Sequence, residues 1–184
     1  MLRAFSAALL LPLLLRADPL YEIDLTAARE GFDGKMCWVH ARAGVLPPEQ
    51  GKEPLVVMTL QKLDISGSDI FHTLNEMRTV DGGLTWTAPE ALESFSRVPF
   101  TWRDESDLEI TVSDFWPRWH PRSNTLIGIG HTVVYQDNRV KPVRPRGIAY
   151  AIYNPHQHNW SDWRTVELPY EARFENAGAG CAQR

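Results

Sequence analysis

Only two cysteines, Cys37 and Cys181, stand in the 184 residues. So few, and so far apart, exclude a small fold built on disulfides and any metal centre of C-x-x-C type. They read as buried free thiols. A pairing between them stays open, because separation in sequence says nothing about distance in space. Positive charge is also scarce: 19 Lys and Arg against 23 Asp and Glu leave a net charge of -4, the wrong sign for a partner with a phosphate backbone. No apolar run approaches the roughly 20 residues that cross a bilayer as a helix. The longest, Ala7–Leu15, is interrupted by Pro12 and preceded by Arg3. It suits the core of a secretory leader, with Ala17 as the last residue removed; a buried apolar strand is the alternative. The leader reading makes residues 1–17 a signal peptide, residues 18–184 the folded part, and the protein secreted or periplasmic. Patterns of period 3.6 are missing too, apart from one short turn's worth in "LTAAREGF", Leu25–Phe32.

What the chain has is strands. "KMCWVHARAGVL", "EPLVVMTLQKL", "IFHTLNEMRTV" and "LTWTAPEAL" lie between Lys35 and Leu92, and "NTLIGIGHTVVYQ", "RGIAYAIYN" and "WRTVEL" follow from Asn124. Gly, Pro, Asp and Asn separate them, the punctuation of an all-β protein. They group into units of about four strands, at Lys35–Leu92 and Trp116–Leu168, joined by the polar stretch "ESFSRVPFTWRDESDLEITVSDF". Each unit ends in a turn and a Trp-containing strand. Such repetition is how a β-propeller hides its sheet edges; a β-sandwich is the alternative.

The clearest motif is "RTVDGGLTW". Asp81 can accept bonds from the amides of its own turn, Gly82 and Gly83 permit positive φ, Thr85 can bond back into the loop, and Trp86 is expected to drop into the sheet. The order Thr79-x-Asp81-x-Gly83-x-Thr85-Trp86 resembles the Asp-box of the sialidase (neuraminidase) superfamily. The second unit carries a degenerate echo at Asn159, Trp160, Ser161 and Trp163.

The resemblance implies a six-bladed propeller in full length, of which this chain holds about two four-stranded blades and the start of a third. It implies an exported exo-alpha-sialidase-like glycoside hydrolase whose partner is a sialoside or another acidic glycan. It also implies site residues. Arg42 stands where the family's first carboxylate-binding arginine stands, although Arg-Ala-Gly replaces the usual Arg-Ile-Pro. A planar guanidinium suits this task because its fork matches a carboxylate. Asp69, and behind it Asp64, occupy the loop "DISGSD" where the family carries its general acid. Lys62 falls where a second active-site cation is found. Arg118, His120 and Arg146 are the second unit's candidates for the same cleft, with Trp116 as a platform for a sugar face; Trp119 reads as core. The family's tyrosine nucleophile is not assigned to this chain, and Tyr135, Tyr150 and Tyr153 read as packing residues. His156 and His158 lack a carboxylate or thiol neighbour in sequence, so no metal or cofactor is implied. A propeller that binds glycans or proteins without catalysis is the competing expectation, because Asp-boxes are structural and do not report activity.

Overall fold

A computed structural model describes residues 20–167, with Glu49 excepted. The leader at 1–17, Leu168, Cys181 and the C-terminal stretch read as the start of a third unit therefore lie outside the described residues. The fold is all-β. Strands β1 (Met36–Leu46), β2 (Leu55–Asp64), β3 (Ile70–Thr79) and β4 (Glu90–Ala91) form one antiparallel sheet in the order β1-β2-β3-β4. Strands β5 (Val98–Trp102), β6 (Glu105–His120), β7 (Thr125–Gln136), β9 (Ile148–Asn154) and β10 (Asn159–Trp160) form a second, with two-residue strands β8 (Arg139–Val140) and β11 (Arg164–Thr165) on β7 and β9. The two sheets pack face to face over a core of Val57, Leu74, Phe95, Val112, Phe115, Leu126, Tyr153 and Trp160. A closed ring of blades is not seen among the described residues.

Three expectations about secondary structure need correction. The polar stretch after Leu92 is no connection: it holds a three-residue 3-10 turn at Glu93–Phe95, all of β5, and most of β6. Charged residues at Asp104–Asp107 hide the alternation that follows, in which Leu108, Ile110 and Val112 are all buried. The second sheet thus begins at β5, not at Trp116. "LTAAREGF" forms no helical turn. The strand expected in "LTWTAPEAL" shrinks to Glu90–Ala91, because Thr85 and Trp86 are spent on the turn before it.

That turn is held by its own side chains. Asp81 accepts from the Thr79 hydroxyl at 2.7 Å, the Thr85 amide at 3.0 Å and the Thr85 hydroxyl at 2.5 Å. Gly82 and Gly83 take φ of +73° and +93°, where a side chain would be strained. Trp86, however, is only half-buried; its indole N–H donates to the Gly83 carbonyl at 3.2 Å and so closes the turn instead of entering the core.

The second sheet repeats the return. The Thr87 amide donates to Arg78 O and the Ser161 amide to Ile152 O, both at 2.9 Å and both nine residues back. In each case the hydroxyl of the same residue accepts from the same partner's amide, at 2.9 Å and 3.1 Å. Trp86 and Trp160 therefore hold equivalent positions. Trp160 is buried: its indole N–H donates to Glu76 of the first sheet at 2.6 Å, and within its own sheet its ring meets Phe115 edge-on at 5.0 Å.

The bonds from Thr79 and Thr85 hold the Asp81 carboxyl far below the usual carboxylate range. The unfolded value is near 3.9. A depressed folded pKa contributes stability that is full above that value and is lost as pH falls toward the folded one. In urea melts between pH 6 and pH 2.5, Asp81→Asn is expected to be less stable at the upper end and to lose less on acidification; parallel pH curves for the two proteins would contradict this.

Candidate functional site

Strand register fixes the ends of the first sheet. Asp64 opposes Ile70 at one end of the β2–β3 pair and Val56 opposes Thr79 at the other, so the "DISGSD" loop and the Asp81 turn lie at opposite ends. Arg42 lies between them, opposite Thr59. Its guanidinium reaches across to β6 and pairs with Asp114 at 2.8 Å. It also lies 5.7 Å from the centre of the Trp116 ring, and Arg118 lies 4.8 Å from the same ring.

Two bulges create this meeting. Register slips between Val39 and Arg42 on β1 and between Ser113 and Trp116 on β6. His40 and Asp114 within them take φ of +55° and +49°. Such conformations are costly for residues with a side chain and concentrate where function requires them. Their support is visible. The buried Gln61 amide donates to His72 O at 3.0 Å and Val112 O at 3.1 Å, and its carbonyl accepts from the Ser113 hydroxyl at 3.2 Å and the Asp114 amide at 3.3 Å. The Thr59 hydroxyl donates to Phe115 O at 2.6 Å. Gly128 and Gly130 complete the bend, since a Cβ on either would fall 2.0 Å from the Phe115 ring or 2.7 Å from Ser113 O.

From Asp114 the cluster runs toward the "DISGSD" end. His131, opposite Ser113, is in electrostatic contact with Asp114, His40, Arg144 and Arg146. His131 is exposed, and partial desolvation together with the nearby cations holds its pKa below the ordinary value against the pull of Asp114. Arg144 interacts in turn with Arg146 and Asp69. Asp69 has φ of +58°, its carbonyl accepts from the Tyr135 hydroxyl at 2.8 Å, and its carboxylate is exposed. Arg42 is joined to Asp114 by an ion pair, and Asp69 and Arg146 are linked to that pair only through charge interactions by way of His131 and Arg144; Asp114, His131 and Arg144 are residues the sequence reading did not single out. The signal for Asp114 is the break in alternation at "VSDF", which marks a bulge.

The remaining candidates stand elsewhere. Asp64 is buried and caps the loop, accepting from the Ser66 amide at 2.9 Å; hydrogen bonds from Ser66 hold its pKa below the usual range, opposite to what a proton donor needs. Lys62 lies over the Trp38 ring at 5.3 Å, on the face away from Gln61 and Thr59. His120 bonds Ser123 at 2.7 Å in the β6–β7 turn, which lies at the Asp81 end. A cleft of about 880 Å³ opens at that end, lined by Leu46, Trp119, Tyr153, His156 and His158; it holds none of the acidic or basic candidates above. Among the described residues no three ligand-type side chains gather as a metal site, Cys37 is in no disulfide, and no helix is long and apolar enough to cross a membrane.

Compared with known proteins, the chain matches no protein-family model, no curated protein and no solved structure.

Gln61→Leu keeps the volume but leaves Val112 O and the Asp114 amide without partners. It is expected to cost about 3 kcal/mol in urea unfolding, within the usual range for orphaned buried groups. It should also release Asp114, seen as loss of the Asp114 amide protection in hydrogen exchange.

Proposed function

We propose that this chain contributes two blades of a sialidase-like β-propeller, and that Arg42, Asp114 and their neighbours bind the anionic group of a terminal acidic sugar in an exported glycoside hydrolase. The observation that carries the reading is the placement of Arg42. Its guanidinium is presented between Asp114 and the half-exposed Trp116 by two bulged strands. A carboxylate on the guanidinium and a sugar face on the indole would be met together.

The blade assignment draws on the Asp-box hydrogen bonds and on the matching nine-residue return in the second sheet. It draws also on the exposed outer face of that sheet, where Ile129 and Ile152 are 48% and 45% exposed. A further blade would bury such a face. Asp69 serves as the proton donor to the leaving glycosidic oxygen in this reading, and the leader sequence directs export.

A non-catalytic, glycan-binding propeller is the second reading. The Asp81 turn is held entirely by its own side chains, so it supports a scaffold without reporting activity. Binding and turnover separate the two readings. Arg42→Gln is expected to weaken binding of a carboxylated glycoside, read by calorimetry, by about a hundredfold, the usual effect of removing one charged hydrogen-bonding partner. In the longest natural form of the protein Asp69→Ala should abolish hydrolysis and keep binding. Undiminished turnover removes Asp69 from its role, and binding by the unaltered protein with no turnover of any acidic glycoside establishes the second reading.

A further inference from the structure

The cleft of about 880 Å³ at the Asp81 end plays no part in the Arg42 site. Its size lies within the range of about 300–1,000 Å³ typical of small-molecule sites. Its floor is apolar and is built by both sheets: Leu46 of β1, Leu126 of β7 and Tyr153 of β9 are 7%, 1% and 3% exposed. Trp119 of β6 is half-buried; it packs against the core and also lines the cleft. Lys52 and Glu53 line it with opposite charges, so no net charge gathers there.

The rim is polar. Asn124 and His158, in the β6–β7 and β9–β10 turns, both line the cleft and both take a left-handed φ of +52°. Glycine adopts that conformation without strain. An imidazole is kept there instead, although His158 is exposed and gains little from packing. Its Nδ1 lies 3.5 Å from the Tyr153 hydroxyl, which itself meets the buried Glu76 at 3.4 Å. The His158 carbonyl accepts from Arg78 at 3.0 Å. The His156 ring, the Asn124 side chain and the Trp119 indole N–H line the same cleft and make no hydrogen bond among the described residues. Strain retained for an exposed polar side chain beside a cavity points to a ligand.

We infer that this cleft binds an uncharged sugar unit, stacked on Trp119 and hydrogen-bonded by His158, His156 and Asn124. A pyranose ring has an apolar C–H face and a rim of hydroxyls that each donate and accept. The face suits the indole. The hydroxyls suit amides and neutral imidazoles, which also carry both donors and acceptors. An acyl chain or a flat aromatic would fill the apolar floor, but it would strip water from the rim groups without replacing the lost bonds. An anionic sugar would gain nothing from a cleft without net charge. The inference does not depend on the acidic-sugar reading, because Arg42, Asp114 and Trp116 are not among the residues that line the cleft.

The test is an NMR titration of the full chain with three uncharged sugars, lactose, maltotriose and triacetylchitotriose, and with indole and hexanoate as apolar probes. At least one sugar is expected to shift the Trp119 indole N–H saturably. His158→Gly removes the imidazole and relieves its backbone, so the fold is kept. It should weaken that sugar about tenfold, the usual effect of one lost hydrogen bond. Trp119→Leu, followed at the Asn124 amide, should weaken it by at least about as much; if that variant does not fold, His158→Gly decides alone. Arg42→Gln should leave the affinity unchanged, which separates this site from the Arg42 reading. No saturable shift at Trp119 with any of the three sugars overturns the inference, as does unaltered affinity in His158→Gly. So does tighter binding of indole or hexanoate in the cleft than of any sugar. A shift confined to the Trp116 indole places the sugar beside Arg42 and also overturns it.

Discussion

The buried amide of Gln61 is the constraint on which the geometry of the candidate site depends. A primary amide has two donors and a two-sided acceptor, and here every one is used: two backbone carbonyls receive its N–H groups, and a hydroxyl and a backbone amide donate to its oxygen. In an apolar interior such saturation is required, because each orphaned group is costly. The amide therefore accepts only one spacing between the two sheets and one course for β6. The course it accepts includes the kink at Asp114, and the kink delivers a carboxylate to Arg42. Core packing and site geometry are set by the same four hydrogen bonds.

The two hairpin returns show how one local device acquires different roles. Both sheets close with a residue that bonds back nine positions through amide and hydroxyl. In the first sheet an acid and two glycines lock the turn, and the tryptophan completes it. In the second the acid is gone, Asn154 accepts from the amides of His156 and Gln157, and the tryptophan is released into the core. There it donates to Glu76, whose carboxyl is raised above its ordinary pKa by burial, with bonds from Trp160, Arg78 and Tyr153 opposing the shift. The device is conserved in geometry between the sheets while its stabilisation has moved from the turn to the interface.

The all-β class and the self-bonded turn at Asp81 were legible because both rest on local rules: alternation, turn residues and positive φ. The "DISGSD" and Asp81 turns could be assigned to opposite ends for the same reason, since successive turns of a meander must alternate. What could not be read was anything that depends on a bulge. A slip of one residue exchanges faces, so Asp114 looked like part of a polar linker, and Lys62 looked like a neighbour of Arg42 when it lies on the other face. Trp86 was misjudged because its burial depends on what another sheet covers. His131 becomes visible only when β7 is brought beside β1, a contact between distant parts of the chain, and Arg144 only when its own segment returns to β7.

The polar groups that join the sheets also set the order in which the chain can fold. Gln61 and Val112 are 51 residues apart, Thr59 and Phe115 are 56, and Glu76 and Trp160 are 84. Loops of that length close slowly and early closure gains little. Until they close, the amide of Gln61 and the carboxylate of Glu76 keep their water, and the faces that carry them are poor surfaces for partial collapse. Neither sheet can complete itself alone. Docking the sheets therefore requires water to leave both polar centres as the aromatic core around Phe115 forms, and a chain lacking Trp160 would leave the Glu76 carboxyl without the indole N–H that it accepts.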